Sequence, residues 1–338
     1  MREIGSEFHI TVFEKKHGLK QPVKGAFVFS GRTAIEAVLK EIPRAKNALL
    51  PSYCCASMIR PFHDAGINVS FYPVIYDRGL RTELEISRDT DVILWCNYFG
   101  FCNDMPDLAD FIAHGGTIIE DITHSLYSDH SYHEQSQYLV ASVRKWEPII
   151  CGGYYASRKG TIAEPPAKKP PLEFLKPKIT AMQMKARYLD DDSAVDKNTY
   201  LQLFSQSNHW MAENYSGLTI DAYSEKFLLN ADVKAHAKAR RQNAKALYKA
   251  LDGYVGIRFL FELSQMDCPL FVPILLEPEK RNAVRKKLVE NQIFCPIHWP
   301  KPNEDCKSNL YDLELSLICD QRYNEEDMLR MASVLKIL

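Results

Sequence analysis

Residues 116–126, GTIIEDITHSL, and residues 138–157, YLVASVRKWEPIICGGYYAS, decide how this chain is read. The first is an apolar run too short for a helix and rich in β-formers; it ends on Glu120 and Asp121 and passes into Thr123 and His124. The second holds two more apolar strands, interrupted by Ser142, Lys145 and the pair Gly152-Gly153. Upstream, AFVF, NALLP, VSFYPV and DVILWCNYF are runs of the same kind, and the helix-like stretches TAIEAVLKEI, ASMIRPFHDAG and MPDLADFIAHGG fall between them. Strands that are apolar throughout and alternate with helices predict a parallel sheet covered on both faces, which is an α/β fold.

After Thr161 the texture changes. The Pro-rich AEPPAKKPPLEFLKP and the polar, helix-prone stretch around MQMKARYLDDDS read as an arm over residues 161–195 that lies outside the core. A single long helix is expected over SEKFLLNADVKAHAKARRQNAKALYKAL, ending at Asp252-Gly253 and bridging two domains. CPLFVPILL, PEKRNAVRKKLVENQ, IFCPIHWP and NEEDMLRMASVLKIL then form an α+β set. The expected division is a large domain over residues 1–230 and a small one over 231–338, which suits a chain of 338 residues.

Composition narrows the function classes. The 42 Lys and Arg against 43 Asp and Glu leave no global electrostatic case for nucleic acid or a membrane surface. No apolar run approaches the roughly 20 residues needed to cross a bilayer. The N-terminal stretch lacks a secretory signal, and nine cysteines without CxxC spacing fit reduced thiols better than a disulfide framework. The expectation is a cytoplasmic protein whose partners are small molecules.

Three segments carry candidate chemistry. Ser30, Gly31, Arg32 and Thr33 stand at a strand-to-helix turn, where free amides, a glycine and hydroxyls make either an ordinary helix cap or a phosphate cradle. Asp121 stands at the carboxyl end of a strand, where ligands of open α/β sheets bind, or it caps the next helix. Lys145 lies between buried strands, where a lysine either has a chemical task or extends its amine to solvent. No GxGxxG or Walker pattern is present, and His124, His130 and His133 lack carboxylates at ligand spacing, so no metal is expected.

Cradle, strand-end acid and strand-flanked lysine come in the order that a pyridoxal-phosphate site needs. NALLPSYCCASMIRPFHDAGINVSFYPV, WCNYFGFCNDMPDL, IIEDITHSL and SVRKWEPIICGGYY together resemble the DegT/DnrJ/StrS family of sugar aminotransferases, a branch of the fold-type-I pyridoxal-phosphate enzymes. The resemblance runs from about Gly25 to the C-terminus, more weakly around IFCPIHWP. It implies a fold-type-I large domain with a mostly parallel sheet, a smaller α+β C-terminal domain and a homodimer.

By position the resemblance implies that Lys145 carries the cofactor and Asp121 bonds its pyridine nitrogen. Gly31, Arg32, Thr33 and Ser142 would face the phosphate, and His124 would stand near the phenolic oxygen where the family has Gln. Cys55 takes the place of the family's ring-stacking aromatic, with Tyr53 nearby, and Asn97 replaces its usual His. The implied reaction moves an amino group from glutamate or glutamine to a nucleotide-linked keto-sugar, in cell-surface polysaccharide or related biosynthesis. Two alternatives stand beside it. One is a pyridoxal-phosphate enzyme acting on an amino acid, with Arg322 as a candidate for its carboxylate; the other is a non-catalytic regulator that keeps the fold.

Overall fold

The computed structural model describes residues 3–11, 16, 18–102, 104–160, 162 and 165–336. Thr161, Ala163 and Glu164 of the expected arm, and Ile337 and Leu338 of the expected last helix, lie outside them. The chain forms two compact units that are discontinuous in sequence. One contains residues 1–6, 44–137 and 234–338, the other residues 7–43 and 138–233.

In the first unit, four parallel strands stand in the order Thr117–Asp121, Val92–Cys96, Asn47–Pro51, Asn68–Tyr72. Val92–Cys96 and Thr117–Asp121 are buried at every position, as expected for strands covered on both faces. Asn68–Tyr72 alternates between exposed and covered side chains, the pattern of a strand with one open flank. Because all four run the same way, Pro51, Tyr72, Cys96 and Asp121 end on the same side of the sheet. The turns that follow them carry the candidate chemistry.

The C-terminal part of this unit is α+β. An antiparallel sheet of Arg258–Phe259, Val272–Leu275 and Glu314–Leu317 is joined by the helices Pro278–Glu290 and Glu325–Leu335. The last helix starts with a reciprocal cap between Asn324 and Asp327. Of the expected strand IFCPIHWP, only Ile293–Phe294 is extended in a ladder, pairing with Ile4–Gly5.

The second unit has an antiparallel ribbon with Gly153–Ser157 in the centre, flanked by Gly25–Val28 and Tyr138–Ala141. Here the expectation of parallel strands gives way, since the chain returns to this ribbon from the opposite direction. The supposed arm also differs from expectation. Residues Leu172–Asp190 form a helix whose Phe174 is fully buried with its ring 4.8 Å from that of Phe29.

Two of the three lysines of that helix turn inward. Lys178 Nζ lies 3.2 Å from Glu7 Oε2, and Lys185 Nζ donates to the Glu7 carbonyl at 2.5 Å. Buried lysines with such partners look, in sequence, like a solvated face. The long helix is also broken, into Ala222–Leu228 and Val233–Leu251. The amides of Leu19, Lys16 and Gly18 take the carbonyls of Leu228, Asn230 and Ala231, so the break supplies acceptors to a neighbouring strand of chain.

Candidate active site

The second unit brings one group of candidates together. Ser30 caps the helix Gly31–Glu41 from extended backbone, and its hydroxyl oxygen accepts from the Thr33 amide at 3.3 Å. Thr33 donates its hydroxyl proton to the Tyr215 carbonyl at 2.9 Å, and its Oγ1 lies 3.0 Å from Ser30 Oγ. Both hydroxyls therefore belong to the cap. The amides of Gly31 and Arg32, which have no intrahelical acceptors, are the donors that a helix start turns towards an anion.

Ser142 stands beside this turn. A Cβ on Gly31 would sit 3.2 Å from the Ser142 Cβ, so a glycine lets the two turns pack closely. After Ser142 the chain makes one tight turn, Val143–Lys145, held by the bond from the Val143 amide to the Gly152 carbonyl at 3.1 Å. Gly152 in turn donates to Phe29 at 2.8 Å. A Cβ on Gly153 would meet the Ser30 carbonyl at 2.1 Å, which no side chain tolerates. The glycine pair thus presses the Lys145 turn onto the Ser30–Gly31 turn. Ser142, Arg144 and Lys145 are half-buried there.

The first unit positions the other group. Asp121, nearly buried at the end of its strand, accepts the Thr123 amide at 2.8 Å on Oδ1. Its neighbour Glu120 has a different task on the other face of the strand. It accepts from Asn97 Nδ2 and the His133 amide at 2.8 and 2.9 Å and pairs with Ser136. Burial raises the Glu120 carboxyl, and the bonds to Ser136 and His133 oppose that shift. Asn97 is spent in the same network, donating also towards Ser125 and Ser131.

His124 is held in one tautomer. The Phe99 amide donates to its Nδ1 at 3.1 Å, so Nδ1 is the acceptor and the neutral ring carries its proton on Nε2. Phe99 adopts φ +60° to make that contact, and Gly100 follows with φ +81°. Gly100 is obligatory, because a Cβ there would lie 1.8 Å from the Cys268 carbonyl. Trp299 stacks on His124 with centroids 5.7 Å apart, and His298 stands edge-on to it at 5.6 Å.

Cys55 is half-exposed at the start of the helix Ala56–Asp64, its Sγ 2.8 Å from Ser57 Oγ. Tyr53, the other candidate for ring stacking, is fully buried among Trp299, Tyr311 and Tyr98 at centroid distances of 5.0, 5.2 and 5.6 Å. It supports the wall from behind. Sequence reasoning missed His298, Trp299, Glu314 and Ser316, although the His-Trp-Pro run in IFCPIHWP was the available signal.

Beside Trp299 opens a cleft of about 690 Å³, lined by Arg281, Arg285, Lys301, Lys307, Tyr311 and Asp312 among others. Four cations against one carboxylate suit an anionic ligand. Arg322, by contrast, is engaged by Asp320 through Nε and Nη2 at 2.9 and 2.8 Å. Burial would lower the Arg322 pKa, and Asp320 more than offsets this and raises it. His130 is exposed and faces Asp267, and among the described residues no group of three His, Cys, Asp or Glu is placed to hold a metal ion. No described helix is long and apolar enough to cross a membrane.

No family model and no curated protein matches the sequence. Solved structures do match the fold. A DegT DnrJ EryC1 StrS aminotransferase from Brucella abortus aligns with TM-score 0.63 at 15% identity, over 93% of this chain and 86% of its own. The sugar aminotransferase CalS13 from Micromonospora echinospora aligns with TM-score 0.61 at 12% identity, over 93% and 87%. 3-Amino-5-hydroxybenzoic acid synthase aligns with TM-score 0.61 at 14% identity, over 93% and 85%. The chain therefore has the α/β fold of these aminotransferases, with a smaller α+β part towards its C-terminus.

Proposed function

We propose that this chain is a pyridoxal-phosphate-dependent aminotransferase that passes an amino group from glutamate or glutamine to a nucleotide-linked keto-sugar. The observation that supports the reading is the packing of Ser142, at the start of the Lys145 turn, against the Gly31 helix start, where an amine beside an anion cradle would be needed. The shared fold with sugar aminotransferases supports it.

The residues suit the cofactor. Gly31 leaves open the space that a Cβ would fill next to Ser142, and the first-turn amides favour a phosphate. Bound pyridoxal phosphate supplies an electron sink for negative charge developing on a substrate carbon. Lys145 would carry the group through its amine and then move a proton at that carbon. Asp121 would hold a proton on the ring nitrogen, an opposite charge that typically shifts such a pKa by about one to three units.

His124 would donate from Nε2 to the phenolic oxygen, in the tautomer that the Phe99 amide selects. Gly31, Arg32 and Ser142 would hold the phosphate, while Thr33 secures the cap that aims them. Cys55 would lie against the ring in place of an aromatic. The cationic cleft by Trp299 favours an acceptor bearing phosphate groups. Arg322, already occupied by Asp320, offers little to an α-carboxylate, which weighs against the amino-acid reading. We further assign the protein to the cytoplasm, to polysaccharide or related biosynthesis, and to a homodimer.

Visible absorption tests the core of this reading. Added pyridoxal phosphate is expected to give the band of lysine-bound cofactor, and Lys145→Ala to lose it. A wild-type protein that stays colourless leaves the regulator reading in its place. A panel of keto-sugars against keto-acids separates the two enzyme readings, and light scattering checks the dimer.

A further inference from the structure

Behind His298 lies a short chain of polar groups that the proposed reaction does not yet use. Glu314 has no exposure to solvent. One of its oxygens pairs with the Ser316 hydroxyl, and the other accepts the His298 amide at 2.8 Å. Ser316 Oγ lies 2.8 Å from His298 Nδ1. His298 is itself nearly buried, surrounded by the rings of Phe271, Trp299, Phe99 and His124 at 4.9, 5.2, 5.5 and 5.6 Å.

A serine hydroxyl has one proton, so the direction of this chain depends on Glu314. With Glu314 ionised, Ser316 donates to it and accepts from Nδ1–H of His298, which leaves Nε2 a base. With Glu314 protonated, the carboxyl donates to Ser316, Ser316 donates to Nδ1, and Nε2 carries the N–H. We propose that Glu314, Ser316 and His298 form a proton relay, in which His298 gains or gives a proton at Nε2 while Glu314 stores or releases one.

The transfer balances without a net charge on the imidazole. When Nε2 takes a proton from a bound acid, Nδ1 passes its proton to Ser316 Oγ, and Ser316 passes its own to Glu314. No bond between heavy atoms changes. A buried ring pays heavily for becoming imidazolium, and the relay avoids that cost. The bond from the His298 amide fixes Glu314 in both states.

Several groups face Glu314. Arg281 comes from the Pro278–Glu290 helix, Tyr53 from the turn after Asn47–Pro51, and Cys295 from the segment before His298. Burial raises both Tyr53 and Cys295, so of these described groups Arg281 carries charge. Burial pushes the Glu314 carboxyl up to about 8, with Ser316, the His298 amide and Arg281 opposing the shift. The relay is thus set near neutrality, where either direction is accessible.

The use of this relay in amino transfer rests on the function proposed above, whereas the relay itself does not. Nitrogen-15 labelling of the histidines in the full chain reads it directly, with His298 assigned by the signals lost in His298→Gln. Neutral His298 is expected as Nε2–H well below pH 8 and as Nδ1–H well above it. Glu314→Gln should freeze the Nε2–H form across that range, because its amide always donates to Ser316. A wild-type tautomer that ignores pH, or one that still exchanges in Glu314→Gln, overturns the relay. Should Glu314→Gln fail to fold, Ser316→Ala must uncouple the tautomer from pH, and persistence of the exchange there overturns it equally. A colourless protein with an intact tautomer exchange would sink the proposed function and leave the relay standing.

Discussion

Two carboxylates, Glu7 in the second unit and Glu314 in the first, are driven in opposite directions by their surroundings. Burial alone would raise Glu7, but Lys178 and Arg144, with bonds from Asn208 and Lys178, hold it at about 2. Glu314 is buried with hydroxyl and amide partners and a more distant Arg281, and it rises to about 8. The first acid is charged at any physiological pH and serves as a fixed clamp; the second titrates where enzymes work. The difference follows from the partners that each region supplies, cations around Glu7 and mainly neutral hydroxyl and amide donors around Glu314.

The largest expected effect breaks this contrast on the Glu314 side. A group whose folded pKa is raised binds its proton more tightly when folded, so its contribution is full below the unfolded value of 4.5 and is lost as pH climbs to about 8. The span between those values corresponds to at most about 5 kcal/mol. Urea unfolding of wild type and Glu314→Gln across this window should show their difference in stability falling as pH rises, then levelling above about 8. A flat difference means that Glu314 ionises normally and the contrast is illusory. Glu7 gives the reverse sign: its depressed pKa stabilises above the unfolded value of 4.5, and that stabilisation disappears as pH falls towards about 2.

Next in size is a test of the rigid side. A methyl at Gly153 meets the Ser30 carbonyl at 2.1 Å, a backbone atom that cannot rotate away. Gly153→Ala should cost about 3 kcal/mol, at the upper end of overpacking effects, and should weaken the cofactor band together with stability. If stability falls while the band is untouched, the glycine pair does not place Lys145.

How much of this was written in the sequence depends on how far apart the cooperating residues lie. All seven apolar runs became strands, because short β-rich segments between helices carry their own signal. Ser30–Thr33, Ser142 and Lys145 were legible as candidates, yet the contact that joins them passes through Gly152 and Gly153 and could not be read from spacing. Asp121 was singled out at its strand end, whereas the buried network that Glu120 forms with Asn97, His133 and Ser136 was not read from the sequence. The helix-prone character of Leu172–Asp190 was legible but its inward packing was not, because buried Lys178 and Lys185 imitate a solvated face when their partner, Glu7, lies 171 and 178 residues away. His298 could be noticed in its His-Trp-Pro run, but its link to Glu314 and Ser316, 16 and 18 residues further on, is a hydrogen-bond chain that spacing does not reveal.

A smaller effect probes the clamp. Removing Glu7 leaves Lys178 buried at 3% exposure beside Phe204, without its carboxylate. Losing one partner of a fully buried pair costs about 3–5 kcal/mol. Because 35% of the Glu7 side chain is open to solvent, water screens part of the interaction, and Glu7→Ala should cost about 1–3 kcal/mol. Double-mutant cycles with Lys178→Met should recover most of that loss; a cycle that shows no coupling removes the clamp from the comparison.

The smallest effect concerns what the first unit binds. Arg285 lines the cationic cleft beside Trp299, and on the Pro278–Glu290 helix it stands one turn from Arg281, whose Nη1 is engaged by the Tyr311 carbonyl. Arg285 is therefore the better probe of charge, since replacing it spares that structural bond. At an open cleft one such charge contributes about 1 kcal/mol, so Arg285→Glu should raise KM for a diphosphate-bearing acceptor roughly five- to thirtyfold for the reversal while kcat stays within about twofold. The effect should shrink with added salt, as screening requires. An unchanged KM for the phosphorylated acceptor, or an equal rise for an uncharged keto-acid, would place the anion elsewhere and leave the cleft without a part in the reaction.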